Sequence, residues 1–196
     1  MHLLSTFSSS VVSRKNAIIF TICILTLSGT VTELLGGIWD ATSHLMQESE
    51  RFWAIQHIVV YTGVSIITGS AILGGAILVI NFKNKTLIYA IKIIIIGSVL
   101  QLTAGYADSV SHEIYGLDGL AKPSHLILEV GLLLSTFGGF MACKVNRQRT
   151  TKIMPVAIMT VILSAMWLGF SFALLFAAVI LCIPVYELFS SGCAVF

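Results

Sequence analysis

The chain has 196 residues, of which 57% are hydrophobic and 10% are charged, and its formal net charge is +2. A soluble domain usually carries about 25% charged residues, so these charges are too few to cover a globular surface in water. No basic cluster alternates with aromatic residues and no GxxxxGK loop is present, which excludes the usual signals for nucleic-acid and phosphate binding. The composition therefore predicts an integral membrane protein, with the lipid bilayer as its first partner.

Four apolar stretches, near residues 17–39, 54–81, 86–107 and 124–143, each reach the length of about 20 residues that a spanning helix needs. The tail from Ile153 to about Leu188 is nearly all apolar. As one helix it would run about 50 Å, which exceeds a hydrocarbon core of about 30 Å. We therefore expect two short spans that turn near Trp167–Phe172. The predicted fold is an all-α polytopic bundle of about six transmembrane helices.

The basic residues predict the orientation of these spans. In an alternating topology eight of them fall on one side of the membrane, and no acidic residue shares their segments. They are Arg14, Lys15, Lys83, Lys85, Lys144, Arg147, Arg149 and Lys152. We expect this side, with the N-terminus, to be cytoplasmic. The first span lacks a small-residue cleavage site, so we expect it to be retained in a multi-pass protein of the cell membrane.

A repeat with an offset of 68 residues and no gap divides the chain. The coinciding pairs include Gly29 and Gly97, Asp40 and Asp108, His44 and His112, His57 and His125, and Gly63 and Gly131. Four of the five histidines take part, so coincidence is a poor explanation. The pattern predicts a tandem parallel repeat of two helical hairpins, at 17–82 and 83–150. Residues 1–16 would be a cytoplasmic N-terminal segment, and residues 151–196 a C-terminal hydrophobic hairpin.

The repeated polar residues have the spacing of metal ligands. Asp40 and His44 are four residues apart, so on a helix they face the same way. His57 lies about one turn into the returning helix, where a hairpin brings it beside them. The same spacing recurs in Asp108, His112 and His125. Two imidazoles and one carboxylate suit zinc, copper or iron and leave a position open, which predicts two metal trios toward the outer face.

A structural alternative stays open for these trios. An ionised aspartate inside a bilayer costs about 2.5–3.5 kcal/mol on insertion scales, so it needs a partner. Hydrogen bonds between aspartate and histidine, without a metal ion, would also provide that partner. The duplicated spacing favours metal binding, and it assigns no catalytic residue.

Further polar residues extend the pattern on the same helix faces. Glu33 and Gln101 each precede the aspartate of a trio by seven residues, so they lie almost in line with it. Glu33 could carry protons, or it could form an interhelical hydrogen bond with Gln101. Tyr61 and Glu129 each follow the last histidine of a trio by four residues. We expect them to orient the imidazoles, although Glu129 could itself be a ligand and make the two sites unequal.

The motif residues resemble a known family. The segments W-D-A-T-S-H and E-S-E-R-F-W-A-I-Q-H-I-V-V-Y resemble the copper-site subunit of the membrane-bound copper monooxygenases for ammonia and methane. That family has a D-x3-H-x12-H pattern, with Tyr four residues after the last His, and a second similar pattern on a later hairpin. The resemblance covers about residues 17–145 and implies copper at both trios. It departs at Asp108, where the family usually has Asn, and the D-x3-H-x12-H pattern is also shared by a wider membrane family.

The sequence thus leaves several functions open. The resemblance implies a subunit or paralogue of a copper-dependent oxidoreductase, assembled with other membrane subunits or with a second copy. A non-catalytic metal-binding protein for storage, delivery or scaffolding fits the same trios. Transport of a cation or proton along Glu33, Asp40, Asp108 and Gln101 is a third possibility, and haem ligation is a weaker one. Since both trios are predicted on one side of the membrane, a midplane transport site is disfavoured.

Overall fold

The fold is all-helical, as predicted, throughout the part of the chain that the structure describes. This computed structural model describes residues 2–46, 53–79, 84–115 and 123–179, with side chains except at 2–14, 44–45, 112, 115 and 178–179. The six helices are α1 (His2–Leu45), α2 (Ile55–Val79), α3 (Lys85–Tyr115), α4 (Pro123–Val145), α5 (Arg147–Thr150) and α6 (Met154–Val179).

Five of these helices are long and apolar enough to cross a membrane, which makes the chain a multi-pass membrane protein. The candidate spans are Lys15–Ser43, Ile55–Val79, Lys85–Ser111, Pro123–Val145 and Met154–Ala177. The first four coincide with the four apolar stretches of the sequence. Each contains too few charges to interrupt about 20 apolar residues.

The expected turn near Trp167–Phe172 is wrong. Helix α6 runs without a break from Met154 to Val179. Its 26 residues span about 39 Å at 1.5 Å per residue, and a helix somewhat longer than the hydrocarbon core can tilt. The rest of the predicted C-terminal hairpin, at residues 180–196, lies outside the described residues.

The first four helices form a closed ring, and α6 lies against one side of it. Helix α1 packs on α2, and α3 packs on α4, as two hairpins; α2 also contacts α3, and α1 contacts α4. Helix α6 packs mainly on α4 and partly on α1. Each helix of the ring packs against two neighbours. Polar side chains on the inner faces can therefore contact one another away from lipid.

Glycines bring the two helices of each hairpin into backbone contact. A Cβ atom at Gly63 would lie 2.7 Å from the Gly29 carbonyl oxygen, and one at Gly131 would lie 2.7 Å from that of Gly97. The same residue types therefore make the same approach at positions 68 apart. This is what a duplicated hairpin would produce, and it is the small-residue packing typical of membrane helices.

Buried or half-buried hydroxyl pairs link neighbouring helices of the ring. They are Thr26 with Ser70 at 2.7 Å, Thr68 with Ser98 at 2.9 Å, and Thr30 with Thr136 at 3.0 Å. Toward the basic end, an apolar cluster fills the centre between α1, α3, α4 and α6. There Asn146 Nδ2 donates to the Asn16 carbonyl oxygen at 2.7 Å. The apolar cluster thus lies at the end of the bundle that carries basic residues such as Lys144 and Arg147.

Candidate metal site

A cavity of about 60 Å³ lies inside the bundle near the ends of the two hairpins. About 10–15 Å³ measured in this way is enough for one water molecule, so the cavity has room for several waters or a small hydrated ion. Its polar lining residues are Glu33, Asp40, His57, Tyr61, Asp108, His125, Glu129 and Trp167, and its other lining residues are Leu34, Gly37, Val60, Leu128 and Leu132. Members of both predicted trios therefore share one cavity.

The first hairpin contributes an aspartate and a histidine that contact each other. Asp40 lies in the last turns of α1, and His57 lies in the first turn of α2. The distance from His57 Nε2 to Asp40 Oδ1 is 2.8 Å, and both residues are buried. The close approach of α1 and α2 at Gly29 and Gly63 places these helix ends side by side.

The second hairpin contributes the equivalent pair. The distance from His125 Nε2 to Asp108 Oδ1 is 3.1 Å. Ser124 Oγ donates to the same carboxylate oxygen at 3.1 Å, and the Tyr61 hydroxyl donates to Asp108 Oδ2 at 3.3 Å. Tyr61 was expected to serve His57 in its own hairpin. Its hydroxyl reaches from α2 to the aspartate on α3, and its ring packs over Gly105.

Glu33 and Gln101 join the two hairpins beneath these pairs. Gln101 Nε2 donates to Glu33 Oε1 at 3.2 Å and to Glu33 Oε2 at 3.0 Å. Both residues are almost completely buried. The interhelical hydrogen bond that the sequence left open is therefore present. Glu33 lines the cavity, whereas Gln101 does not line it and contacts it only through its hydrogen bonds to the Glu33 carboxyl group.

Helix α6 completes the cavity with residues that the sequence pattern did not identify. Ser171 Oγ donates to Glu129 Oε1 at 2.7 Å in a buried contact. Trp167 lines the cavity and packs against Gly37 of α1. One sequence signal could have identified this face of α6. Thr160, Ser164 and Ser171 are hydroxyl residues in an otherwise apolar helix, and all three are buried.

The third member of each trio is only partly located. His44 lies in α1 and His112 in α3, each one turn beyond its aspartate. Their side chains lie outside what the structure describes. Among the described side chains, no three or more of His, Cys, Asp and Glu are close enough together to hold a metal ion.

The described groups nevertheless fit a transition-metal ion chemically. Two adjacent ligand atoms at about 2.1 Å from one ion lie about 3.0–3.4 Å apart. The Asp108–His125 separation of 3.1 Å falls in this range, and the Asp40–His57 separation of 2.8 Å is slightly shorter. Imidazole and carboxylate groups are the ligands that zinc, copper and iron accept. One carboxylate oxygen of the cavity, Glu129 Oε2, is buried without a hydrogen-bond partner among the described residues.

Comparisons with protein-family models, with curated proteins and with solved structures find no match to this chain. The resemblance to the copper monooxygenases therefore rests on the motif residues of the sequence.

Proposed function

We propose that this multi-pass membrane protein binds a transition-metal ion in the cavity between its two hairpins. One observation carries the proposal: two Asp–His pairs, one from each hairpin, line a single small cavity. A structural role for one buried pair would be ordinary. Two pairs beside two further buried carboxyl groups gather nitrogen and oxygen ligands around one cavity, which supports a bound cation.

The ligands would come from both hairpins. Asp40 with His57 and Asp108 with His125 supply two carboxylates and two imidazoles, and the neighbouring His44 and His112 would complete the trios. Copper or iron held there would supply redox chemistry on a small molecule, whereas zinc would supply Lewis acidity. Because all described ligand groups face one cavity, the arrangement favours a single centre, or two ions in contact, over two distant sites.

The protein's own residues would orient this centre. Tyr61 and Ser124 donate to Asp108 and fix the direction of its carboxylate. Partners of this kind typically change metal affinity by about 10–100-fold when they are removed. Trp167 and the aliphatic lining residues limit the space around the polar groups, so only a small molecule would fit beside the ion.

We also propose that the N-terminus is cytoplasmic and the cavity lies toward the outer face. This orientation is supported by the eight basic residues at the opposite end of the helices. The transport alternative is disfavoured, because the bundle centre toward the basic end is filled by apolar side chains such as Ile19, Leu87 and Ile91.

Metal analysis tests the proposal. The protein purified in detergent, stripped with chelator and reloaded with Zn²⁺ or Cu²⁺, should retain about one or two ions per chain. His57→Ala and His125→Ala should lower this content markedly, whereas His2→Ala, at the far end of α1, should not. Equal metal content in all three variants, with normal helix content by circular dichroism, would contradict metal binding in this cavity.

The resemblance extends the proposal to copper and to oxidation of a small substrate by an assembly of membrane subunits. Copper-loaded protein, supplied with a reductant, should then consume oxygen in a substrate-dependent manner, alone or with partner subunits. Rapid metal exchange without oxygen uptake would instead support storage or delivery.

A further inference from the structure

Glu129 differs from the other carboxylates that line the cavity. Asp40 and Asp108 each contact a histidine, and Glu33 accepts both its hydrogen bonds from Gln101. Glu129 Oε1 accepts a hydrogen bond from Ser171, and the Trp167 side chain also interacts with the carboxyl group, whereas Oε2 is buried without a hydrogen-bond partner among the described residues. The residue is 5% exposed. A hydrogen-bond acceptor that is buried in a bilayer without a donor costs free energy. A cation bound to this oxygen would remove that cost.

The two hairpins are unequal at this position. Tyr61 occupies the equivalent place in the first hairpin, and its hydroxyl is used in the contact with Asp108. Glu129 follows His125 by one helical turn and lines the same cavity. The side of the cavity formed by α4 thus has one more carboxylate than the side formed by α2.

We infer that Glu129 Oε2 is a ligand for the cation in the cavity and that Ser171 of α6 is the residue that positions it. The inference rests on the proposed function. The Ser171 hydroxyl binds Oε1 at 2.7 Å and so restricts the rotation of the carboxylate. Trp167, one turn before Ser171, packs against Gly37 of α1 and holds this part of α6 beside the cavity.

Helix α6 therefore contributes residues to the binding site in addition to packing against the ring of α1–α4. A hydrogen bond to one carboxylate oxygen leaves the other oxygen available and fixes its direction, as partners of metal ligands generally do. Loss of the Ser171 hydroxyl should therefore weaken metal binding without removing any ligand.

Cobalt titration tests this assignment. The full chain in detergent is titrated with Co²⁺, whose visible spectrum reports the ligands, and Zn²⁺ competition gives a second measure of affinity. Glu129→Gln should raise the Kd about 10–100-fold and alter the Co²⁺ spectrum. Ser171→Ala should raise the Kd about tenfold, and Ser171→Thr, which keeps the hydroxyl, should restore wild-type binding.

Ser164 provides the matched control. It is also buried on α6, but its hydroxyl lies 3.5 Å from Thr136 Oγ1 and it does not line the cavity. Ser164→Ala should leave the Kd and the spectrum unchanged. If Glu129→Gln fails to fold, Ser171→Ala decides the question, because it leaves every ligand in place.

The outcomes separate the two proposals. Binding that is lost in His57→Ala but kept, with an unchanged spectrum, in Glu129→Gln and Ser171→Ala would overturn this inference alone. A wild-type chain that binds neither Co²⁺ nor Zn²⁺ would overturn the proposed function, and this inference with it.

Discussion

The packing of α1 on α2 gives a sharp quantitative prediction for Gly63. A Cβ atom at this position would lie 2.7 Å from both the Cβ and the backbone nitrogen of Glu33, and 2.7 Å from the Gly29 carbonyl oxygen. Ordinary contacts are 3.4–4 Å, so Gly63→Ala forces a displacement of about 0.7–1.3 Å. Two of these contacts are with backbone atoms, which cannot move without the helix.

Gly69 on the same helix is the matched control, since nothing lies within 4 Å of its Cβ position. Both substitutions gain the same helix propensity of about 1 kcal/mol, so their difference isolates the packing penalty. Overpacking typically costs about 1–3 kcal/mol. Gly63→Ala should therefore be less stable than Gly69→Ala by about that amount.

Unfolding of the detergent-solubilised variants, followed by circular dichroism, measures the difference. The same displacement would separate Asp40 from His57, so Gly63→Ala should also bind metal more weakly. Equal free energies of unfolding for the two variants would refute the close approach of α1 and α2 at Gly63.

Three further predictions follow from the polar contacts and the charge distribution. Gln101→Leu should lower the free energy of unfolding by about 1–3 kcal/mol, because Glu33 loses both its hydrogen bonds. Thr26→Val should cost about 0.6 kcal/mol, the typical value of one interhelical hydrogen bond in a membrane, because the contact with Ser70 is lost while the other bond of the hydroxyl, to the Ile22 carbonyl oxygen, lies within α1; the same unfolding assay checks both variants. A cysteine at Lys152, in a background without other cysteines, should react with an impermeant maleimide only from the cytoplasmic side, and labelling from outside would reverse the proposed orientation.

The first four spans could be predicted from the sequence because each is a long apolar stretch bounded by charged residues. The turn near Trp167–Phe172 was wrong because a uniformly apolar segment contains no signal for where it ends. A helix of 26 residues, Met154–Val179, fits a bilayer when it tilts. Hydropathy counts apolar residues, whereas the helix end depends on backbone conformation and on packing.

The site was predictable along each helix but not between helices. Spacing placed Tyr61 on the same face as His57, and its ring and hydroxyl do point into the bundle. Spacing carries no information on which neighbouring helix faces a residue. The Tyr61 hydroxyl donates its hydrogen bond to Asp108 on α3, which the spacing could not predict. Ser171 was missed for the same reason, because α6 lies outside the predicted repeat and its packing against α4 is known only from the structure.

The charge of the cavity argues that these polar residues do more than hold helices together. Its lining includes four carboxyl groups and two imidazoles, and no lysine or arginine is among the described lining residues. Protonated His57 and His125 would balance the two aspartates, whereas Glu33 and Glu129 have no lysine or arginine beside them in the lining and are neutral only when protonated or bound to a cation. Hydroxyl pairs such as Thr30 with Thr136 link the same helices without any charge. Each ionised carboxylate costs about 2.5–3.5 kcal/mol to insert, and under the proposed function a bound divalent cation would offset this cost for the two glutamates, whereas protonation offsets it in the metal-free chain.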